Sequence, residues 1–296
     1  MRDQAARNNF EDLNDMSTIV LTYEEVAAIR MQRIRFVVLQ KRSFIEELEH
    51  VYSVVRRMYK HEIMDILKKK HLSDSKLLNR KNGKTIAVFV GANTGLYGDI
   101  VRKTFDYFYN SAKQHPEYDL AVIGRMGKVL AQEYNMKQEI QYIDLSDQAI
   151  QKEELNDLIL LLLQYENVIL YHGEFKNMLH QEAMASKLDD SATNSAGESG
   201  DTSLEPFKKE KWLIDPSLEE LLDFFESELF SSFVVQTIGE GQLAKLASRI
   251  DTLEQATEHI QTEVVKAARK LEQLNHEVLN KKQNDMLSGM MVWQLE

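Results

Sequence analysis

The chain contains no cysteine and only three prolines and twelve glycines among 296 residues. The lack of cysteine excludes disulfide bonds, thiolate nucleophiles and cysteine-ligated metal. The scarcity of proline and glycine favours long uninterrupted helices, because these residues are the strongest helix breakers. The longest aliphatic run, 158–163, is far shorter than the roughly 20 residues of a membrane-spanning helix, and the polar stretch 3–15 lacks the apolar segment of a signal peptide. We therefore expect a soluble chain with no membrane span.

The chain has fewer basic than acidic side chains, 36 against 47, which gives a formal charge of −11 and a pI near 5.3. A general nucleic-acid-binding protein shows a basic footprint, so we expect no nucleic-acid partner. The charge is unevenly distributed. Residues 18–70 carry eleven basic and seven acidic side chains, whereas 186–205 carry five acidic side chains and one basic. The basic segment predicts contact with an acidic partner.

Mostly apolar residues recur at alternating spacings of three and four near both ends of the chain, which is typical of a coiled-coil seam. The first seam comprises Val20, Tyr23, Ala27, Arg30, Ile34, Val37, Lys41, Phe44, Leu48, Val51, Val55 and Met58. The second comprises Leu243, Leu246, Ile250, Leu253, Thr257, Ile260, Val264, Ala267, Leu271, Leu274 and Val278. A seam this narrow needs a partner helix, so we expect the two to pack antiparallel, with Lys41 at a local gap or reaching solvent. The alternative is two unrelated amphipathic helices on one core.

Between the seams, short β-rich segments alternate with helical ones. The segments predicted as strands are 85–90, 120–123, 140–143 and 168–171, and those predicted as helices are 98–114, 127–135, 147–165 and 175–186. Such repetition predicts a mainly parallel, covered sheet. The fold class is therefore α/β, with a small sheet domain inserted between long N- and C-terminal helices that form an antiparallel coiled coil.

The predicted organisation has six parts. They are a flexible N-terminus (1–17), an N-terminal coiled-coil helix (18–84), the α/β domain (85–185), a disordered acidic loop (186–205), a re-entry strand and helix (206–241) and a C-terminal coiled-coil helix (242–296). Asp215 before Pro216 is a good helix start, because Asp caps a helix and Pro suits its first turn. The glycines at 239 and 241 weaken the helical backbone before the last helix.

The turn Gly91–Gly98 follows a strand and opens a helix, where dinucleotide enzymes hold phosphate. Its glycine spacing, G-x-x-x-G-x-x-G, matches neither the dinucleotide fingerprint nor a Walker loop, so a tight packing turn is the preferred interpretation. The eight histidines are scattered, and no serine or threonine has a recognisable nucleophile context. We expect no catalytic residue, no cofactor and no metal.

Several segments resemble the gamma subunit of F-type ATP synthases, the central rotor stalk. The stretch GANTGLYGD after a strand is similar to that family's glycine-rich sheet motif, with Gly95, Leu96 and Gly98 retained. Other similar stretches are VIGRMG at 122–127, Phe175 with Gln181-Glu182 after the fourth strand, WLIDPS at 212–217 with EELL at 219–222, SRI at 248–250 with Leu253 and Ala256-Thr257, and VAAIRM at 26–31. The resemblance extends over most of residues 18–296. The chain departs from the family motif at Ala92, Asn93, Thr94, Tyr97 and Asp99.

The resemblance implies a non-catalytic shaft that couples rotation of a membrane ion-translocating ring to nucleotide affinity changes. The implied partners are the alpha and beta subunits of the catalytic hexamer, an epsilon-type stalk subunit and the membrane c-ring. The complex would translocate protons or sodium, with this chain peripheral on the cytoplasmic face of the plasma membrane. Two alternatives stay open: a gamma-like stalk of a repurposed rotary or motor ATPase, and a phosphate-binding α/β enzyme that dimerises through its coiled coil.

The candidate partner contacts lie at two places on the long helices. Arg30 and Arg33 belong to the basic N-terminal helix. Lys281, Lys282 and Gln283 precede an apolar C-terminal tip that includes Met290, Met291 and Trp293. An exposed apolar tip favours aggregation unless a partner covers it, so we expect this tip in the sleeve of the catalytic ring. The alternative is that the tip folds back on the stalk.

Overall fold

The computed structural model describes residues 2–60, 62–63, 82–146, 152–188, 214–215 and 217–293, and it describes side chains from 4 to 287 within those ranges. Two long helices precede and follow a small α/β domain in the sequence: α1 (Arg2–Met58) and α5 (Leu218–Trp293). The chain divides into two compact units. The helical unit comprises Met1–Ile29 and Arg249–Glu296, and the main unit comprises Arg30–Ser248.

The main unit contains a five-stranded sheet. Its strands are β1 (Thr85–Val90), β2 (Asp119–Ile123), β3 (Ile140–Ile143), β4 (Asn167–Asn177) and β5 (His180–Leu188). The strand order is β3-β2-β1-β4-β5, and all neighbours are parallel except β4 and β5. In the register of the central strands, Val88 lies opposite Ala121 on one side and Leu170 on the other. The predicted mainly parallel sheet is confirmed.

Helices cover both faces of this sheet, as continuous apolar strands require. They are α2 (Ile100–Gln114), α3 (Arg125–Glu133) and α4 (Lys152–Leu162), together with the part of α5 in the main unit. On one face, Phe105 and Phe108 of α2 pack on Phe89, and the Phe105 ring meets the Phe89 ring edge-on at 5.1 Å. On the other face, Leu158 of α4 and Ile238 of α5 pack on Val88.

Within the main unit, α1 and α5 pack antiparallel. A Cβ built on Gly239 would meet Val38, whereas Tyr52, two heptads further along α1, contacts Phe225, two heptads earlier in α5. An apolar cluster of Tyr52, Val55, Ile63, Leu222, Phe225 and Leu229 closes this pairing, with Leu48 against it. The antiparallel pairing is confirmed, but α1 here faces the segment predicted as a re-entry helix. The segments predicted as a re-entry helix and a separate C-terminal helix form one helix, because α5 runs from Leu218 with no break at its glycines.

The seam of α1 differs from the predicted one at every second position. Val38, Ile45 and Tyr52 are buried, whereas Val37, Phe44 and Val51, which the spacing predicted, are exposed. The two sets are adjacent in sequence and both recur every seven residues, so the apolar pattern alone allows either. The observed seam has Met31 where the predicted one would bury the charge of Arg30, and burying an unpaired charge is costly.

The N-terminal boundary and the end of the sheet also differ from expectation. Helix α1 begins at Arg2, so the predicted N-terminal segment 1–17 is helical from residue 2, as a stretch without proline or glycine permits. The segment 175–186, predicted as a helix, forms the antiparallel hairpin β4–β5. Asn177 shapes its turn, because the Asn177 side-chain oxygen accepts a hydrogen bond of 3.0 Å from the Leu179 amide.

Some predicted elements lie wholly or partly outside the described residues. These are 64–81 of the first helix, the start of the helix at 147–151, the acidic loop beyond 188, and the re-entry segment up to 213. At the start of α5, the capping side chain is Ser217 rather than Asp215, since the Ser217 hydroxyl accepts a hydrogen bond of 3.2 Å from the Glu220 amide.

Candidate functional site

The crevice at the carboxyl ends of β1 and β4 is where an open α/β sheet usually binds a ligand. The chain turns from β1 towards β2 on one side and places β4 on the other, which makes this position the topological switch point. Here the crevice is filled by α5. A Cβ on Gly241 would lie 3.5 Å from His172 Cβ and 3.8 Å from Val90 Cγ1, so the helix backbone sits directly against the strand ends.

The side chain of Lys245 fixes α5 to the turn after β1. Its Nζ donates a hydrogen bond of 2.6 Å to the Gly91 carbonyl and lies 5.9 Å from the centre of the Tyr97 ring. Lys245 is buried, which is rare for a lysine and requires polar partners. The contact joins residues that are distant in sequence and sets the height of α5 over the sheet.

Polar groups of the turn Gly91–Gly98 form hydrogen bonds to other parts of the α/β domain. The Gly91 amide donates to the Ile123 carbonyl at 3.0 Å, and Asn93 binds both later strand ends. Its side-chain amide donates to the Leu145 carbonyl at 2.7 Å, while its side-chain oxygen accepts from the Arg125 amide at 2.8 Å. The turn thus ties β1 to the loops after β2 and β3. This is the packing role preferred from the sequence.

His172 of β4 is the buried titratable group beneath this part of α5. Its Nδ1 and Nε2 are 3.0 Å from the Gly173 carbonyl and 2.8 Å from the Ser186 hydroxyl, respectively. Burial lowers the pKa of His172, and this effect outweighs the bond to Gly173 and the nearby carboxylates of Glu240 and Glu174. The neutral imidazole is therefore the packed form.

Helix α1 presents an exposed apolar and basic face in the main unit. We name it the arginine stripe, and its members are Arg30, Arg33, Val37, Phe44 and Val51, which lie on one side of the helix by their spacing. Arg30 is half-buried and the other four are exposed. From 30 to 45 the helix has five basic and no acidic residues. The predicted pair Arg30 and Arg33 is thus brought together on a surface.

The second group of predicted contacts lies in the helical unit. Lys281, Lys282 and Gln283 are exposed on α5, and as consecutive residues they point in three directions around the helix. Residues 290, 291 and 293 belong to the last turns of α5, but the side chains of Met290, Met291 and Trp293 lie outside those that the structure describes.

A groove of about 480 Å³ opens between α1, α4 and α5. Lys41 lines it together with apolar Leu155 and Ile159 and with Glu228, and the Lys41 ammonium lies 5.6 Å from the centre of the Phe44 ring. This position of Lys41 agrees with the expectation that it lies at a local gap or reaches solvent.

Sequence reasoning missed the residues that hold α5 against the sheet. The sequence predicts a weakened helical backbone at Gly239 and Gly241, and its predicted contacts do not include Lys245. A signal does exist in retrospect, because Ala244, Ala247 and Ser248 flank Lys245 with side chains small enough for close packing. Within the described ranges, acidic and histidine side chains form no group suited to a metal ion. Of the helices described, none has the length and apolar character to cross a bilayer.

Comparison with solved structures gives similar chains in mitochondrial ATP synthases. The rotor of the Euglena gracilis mitochondrial ATP synthase in rotational state 1 has the same fold, with a TM-score of 0.59 and 14% identity over 94% of this chain and 99% of that chain. A chain of the Tetrahymena thermophila mitochondrial ATP synthase central stalk and c-ring has a TM-score of 0.47 and 16% identity over 80% and 99%, respectively, which is too distant to carry an argument. Among curated proteins, none matches significantly.

The match to a family model covers almost the whole chain. The model of the ATP synthase family matches residues 4–282, and the expected α/β domain between two long helices is the observed fold. Rotary coupling by a non-catalytic central stalk is the role of this family. The chain belongs to the gamma-subunit family of ATP synthase, the central rotor stalk.

Proposed function

We propose that the chain turns inside a hexamer of alpha and beta subunits, with the arginine stripe of α1 as the surface that meets acidic loops of that ring. The observation that carries the proposal is an exposed row of apolar side chains flanked by the basic side chains of Arg30 and Arg33. Apolar surface supplies contact area, and positive charge selects an acidic partner over a basic one.

The α/β domain is proposed to rest against an epsilon-type stalk subunit and the membrane c-ring. In this arrangement the chain is peripheral, on the nucleotide side of a proton- or sodium-translocating membrane, which for a plasma membrane is the cytoplasmic face. The filled crevice at the switch point supports a mechanical role for the domain, since α5 occupies the position where a small ligand would bind.

Charge reversal tests the proposed surface. The variant Arg30→Glu with Arg33→Glu, assembled in the complete complex, is expected to lower ion pumping per ATP hydrolysed at least about threefold, because like charges repel across the interface. The matched control is Arg35→Glu, an exposed residue on the opposite side of the same helix. If the double variant pumps as efficiently as Arg35→Glu, the stripe is only a solvated face.

The C-terminal contacts are tested separately. We propose that Lys281, Lys282 and Gln283 meet acidic loops of the ring and that Met290, Met291 and Trp293 turn within its apolar sleeve. Lys281→Glu with Lys282→Glu should weaken coupling and leave the helical content of the chain unchanged, whereas Lys270→Glu, an exposed lysine earlier in α5, should not. Normal coupling in the doubly reversed complex would refute this assignment.

A further inference from the structure

We infer that the turn Gly239–Lys245 of α5 is the torque joint of the molecule. By this name we mean the place where the rotation of α5 about its own axis is fixed against the α/β domain. The inference rests on the proposed rotor function. Its residues are positioning residues: they act by holding α5, and the effect reaches the catalytic ring through the helix.

The contacts of this turn surround most of the helix. Gly239 faces Val38 of α1, and Glu240 accepts a bond of 2.8 Å from Arg42 of α1. Ala244 faces Gly173 of β4. Because successive residues are rotated by about 100°, the contacts from Gly239 to Lys245 cover roughly two-thirds of the circumference. A helix held on one side can roll over its support, whereas a helix held on two opposing sides cannot.

Small residues bring the backbones together at this joint. A Cβ on Gly239 would lie 2.9 Å from Val38 Cγ2, and a Cβ on Gly173 would lie 3.0 Å from Ala244 Cβ. Neither space admits a larger side chain without movement of a neighbour. Packing this close leaves α5 no room to rotate in place, since interiors at such density transmit strain rather than yield.

Two polar contacts fix the angle further, and they differ in burial. The Arg42–Glu240 pair is partly exposed on the arginine side, and such pairs contribute little. The Lys245–Gly91 hydrogen bond is buried. Its loss would therefore leave the Gly91 carbonyl without this donor in a site that water does not reach easily. Removal of a buried bond of this kind shifts an equilibrium roughly 10- to 100-fold, which makes Lys245 the main polar restraint.

The absence of native cysteine provides a direct test. The Cβ position of residue 241 lies 3.5 Å from His172 Cβ, within the Cβ–Cβ range of a disulfide, so His172→Cys with Gly241→Cys can lock α5 to β4. Lys245→Met removes the restraint and keeps the side-chain length. Lys266→Met, at an exposed lysine of α5 that pairs with Glu263, is the control.

The experiment measures ions pumped per ATP hydrolysed in the complete complex. Lys245→Met should lower this ratio at least about threefold, and the control should not. In the triple variant, assembled under oxidising conditions, coupling should be near wild type and should fall when the disulfide is reduced. Such reversible loss would not follow from a role in folding alone.

The inference is overturned if reduction of the triple variant leaves coupling unchanged, or if the disulfide in an otherwise wild-type chain abolishes coupling, which would mean that α5 moves at this point during turnover. These outcomes differ from a failure of the rotor function, in which the wild-type chain itself would not support pumping in a complex that lacks its stalk subunit.

Discussion

The paired helices of the main unit and those of the helical unit bury different kinds of side chain, although both follow a heptad pattern. In the main unit the pairing buries large groups such as Tyr52, Phe225 and Leu229. In the helical unit the described buried residues are Ala27, Ile250, Leu253, Thr257 and Ala267. These side chains bury less apolar area per turn, so the second pairing contributes less to stability. The same repeat thus gives strong packing in the main unit, called the base below, and lighter packing in the helical unit, called the shaft below.

The largest expected effect is truncation of the base. Phe225→Ala should lower the free energy of unfolding of the main unit by about 3–5 kcal/mol, because it leaves a cavity beside Tyr52. The neighbouring Phe224 is 57% exposed, against 6% for Phe225, and Phe224→Ala should change it by less than about 0.5 kcal/mol. Denaturant unfolding of the full chain, followed by circular dichroism, checks both. Equal effects would mean that the base is not selectively packed.

The next effect concerns the spacing of α1 and α5 at Val38. Gly239→Ala places a methyl group 2.9 Å from Val38 Cγ2, and the strain should exceed the gain in helix propensity, with a net loss of about 1–2 kcal/mol. Gly241→Ala meets only ordinary contacts and should stabilise the chain by about 0.5–1 kcal/mol.

A double-mutant cycle isolates this contact. Val38→Ala removes the clashing methyl, so the variant with both Val38→Ala and Gly239→Ala should be about 1 kcal/mol more stable than the sum of the single effects. Additive effects in the unfolding free energies would show that the two helices are not in contact at this point.

The sequence predicts local features of this fold better than the choices made by tertiary packing. The parallel strands were predictable because each is a short β-rich apolar run. The hairpin strand β5 was not, since its Glu, Met and Ala residues favour a helix and only pairing with β4 overrides them. The seam of α1 was displaced at alternate positions because Val37 and Val38 are equally apolar and only packing against α5 distinguishes them.

The candidate site shows the same division. Arg30 and Arg33 were predictable as surface residues, because charge on a helix normally faces solvent. Lys245 was not, since its burial depends on a carbonyl group at Gly91, in a different element. Whether a charge on an apolar helix faces solvent or a buried acceptor is decided by the chain that covers it, and no pattern within the helix records that.

A smaller effect, of opposite sign, is expected in the shaft. The Thr257 hydroxyl is buried and has no hydrogen-bond partner among the described residues. Thr257→Val replaces it with a methyl group and should stabilise the helical unit by about 1 kcal/mol. Thr262→Val is the control, because the exposed Thr262 hydroxyl donates to the Glu258 carbonyl at 3.0 Å. Thermal unfolding compares them, and a Thr257→Val variant no more stable than wild type would contradict the expected desolvation cost.

The smallest effect is a pH dependence confined to the base. Burial lowers the folded-state pKa of His172 below its ordinary value of 6.5, so the unfolded chain binds this proton more tightly. Stability from this group is complete above the unfolded pKa and is lost as the pH falls towards the folded pKa. At pH 6 the loss should be no more than about 0.8 kcal/mol.

His172→Gln removes this titration, so its unfolding free energy should fall less than that of wild type between pH 8 and pH 6. His276→Gln, at an exposed histidine of the helical unit, serves as the matched variant with which the slope of His172→Gln is compared. Parallel slopes for wild type and His172→Gln would show that the His172 imidazole does not titrate with folding, and the pH dependence would then belong to other titratable groups that both proteins share.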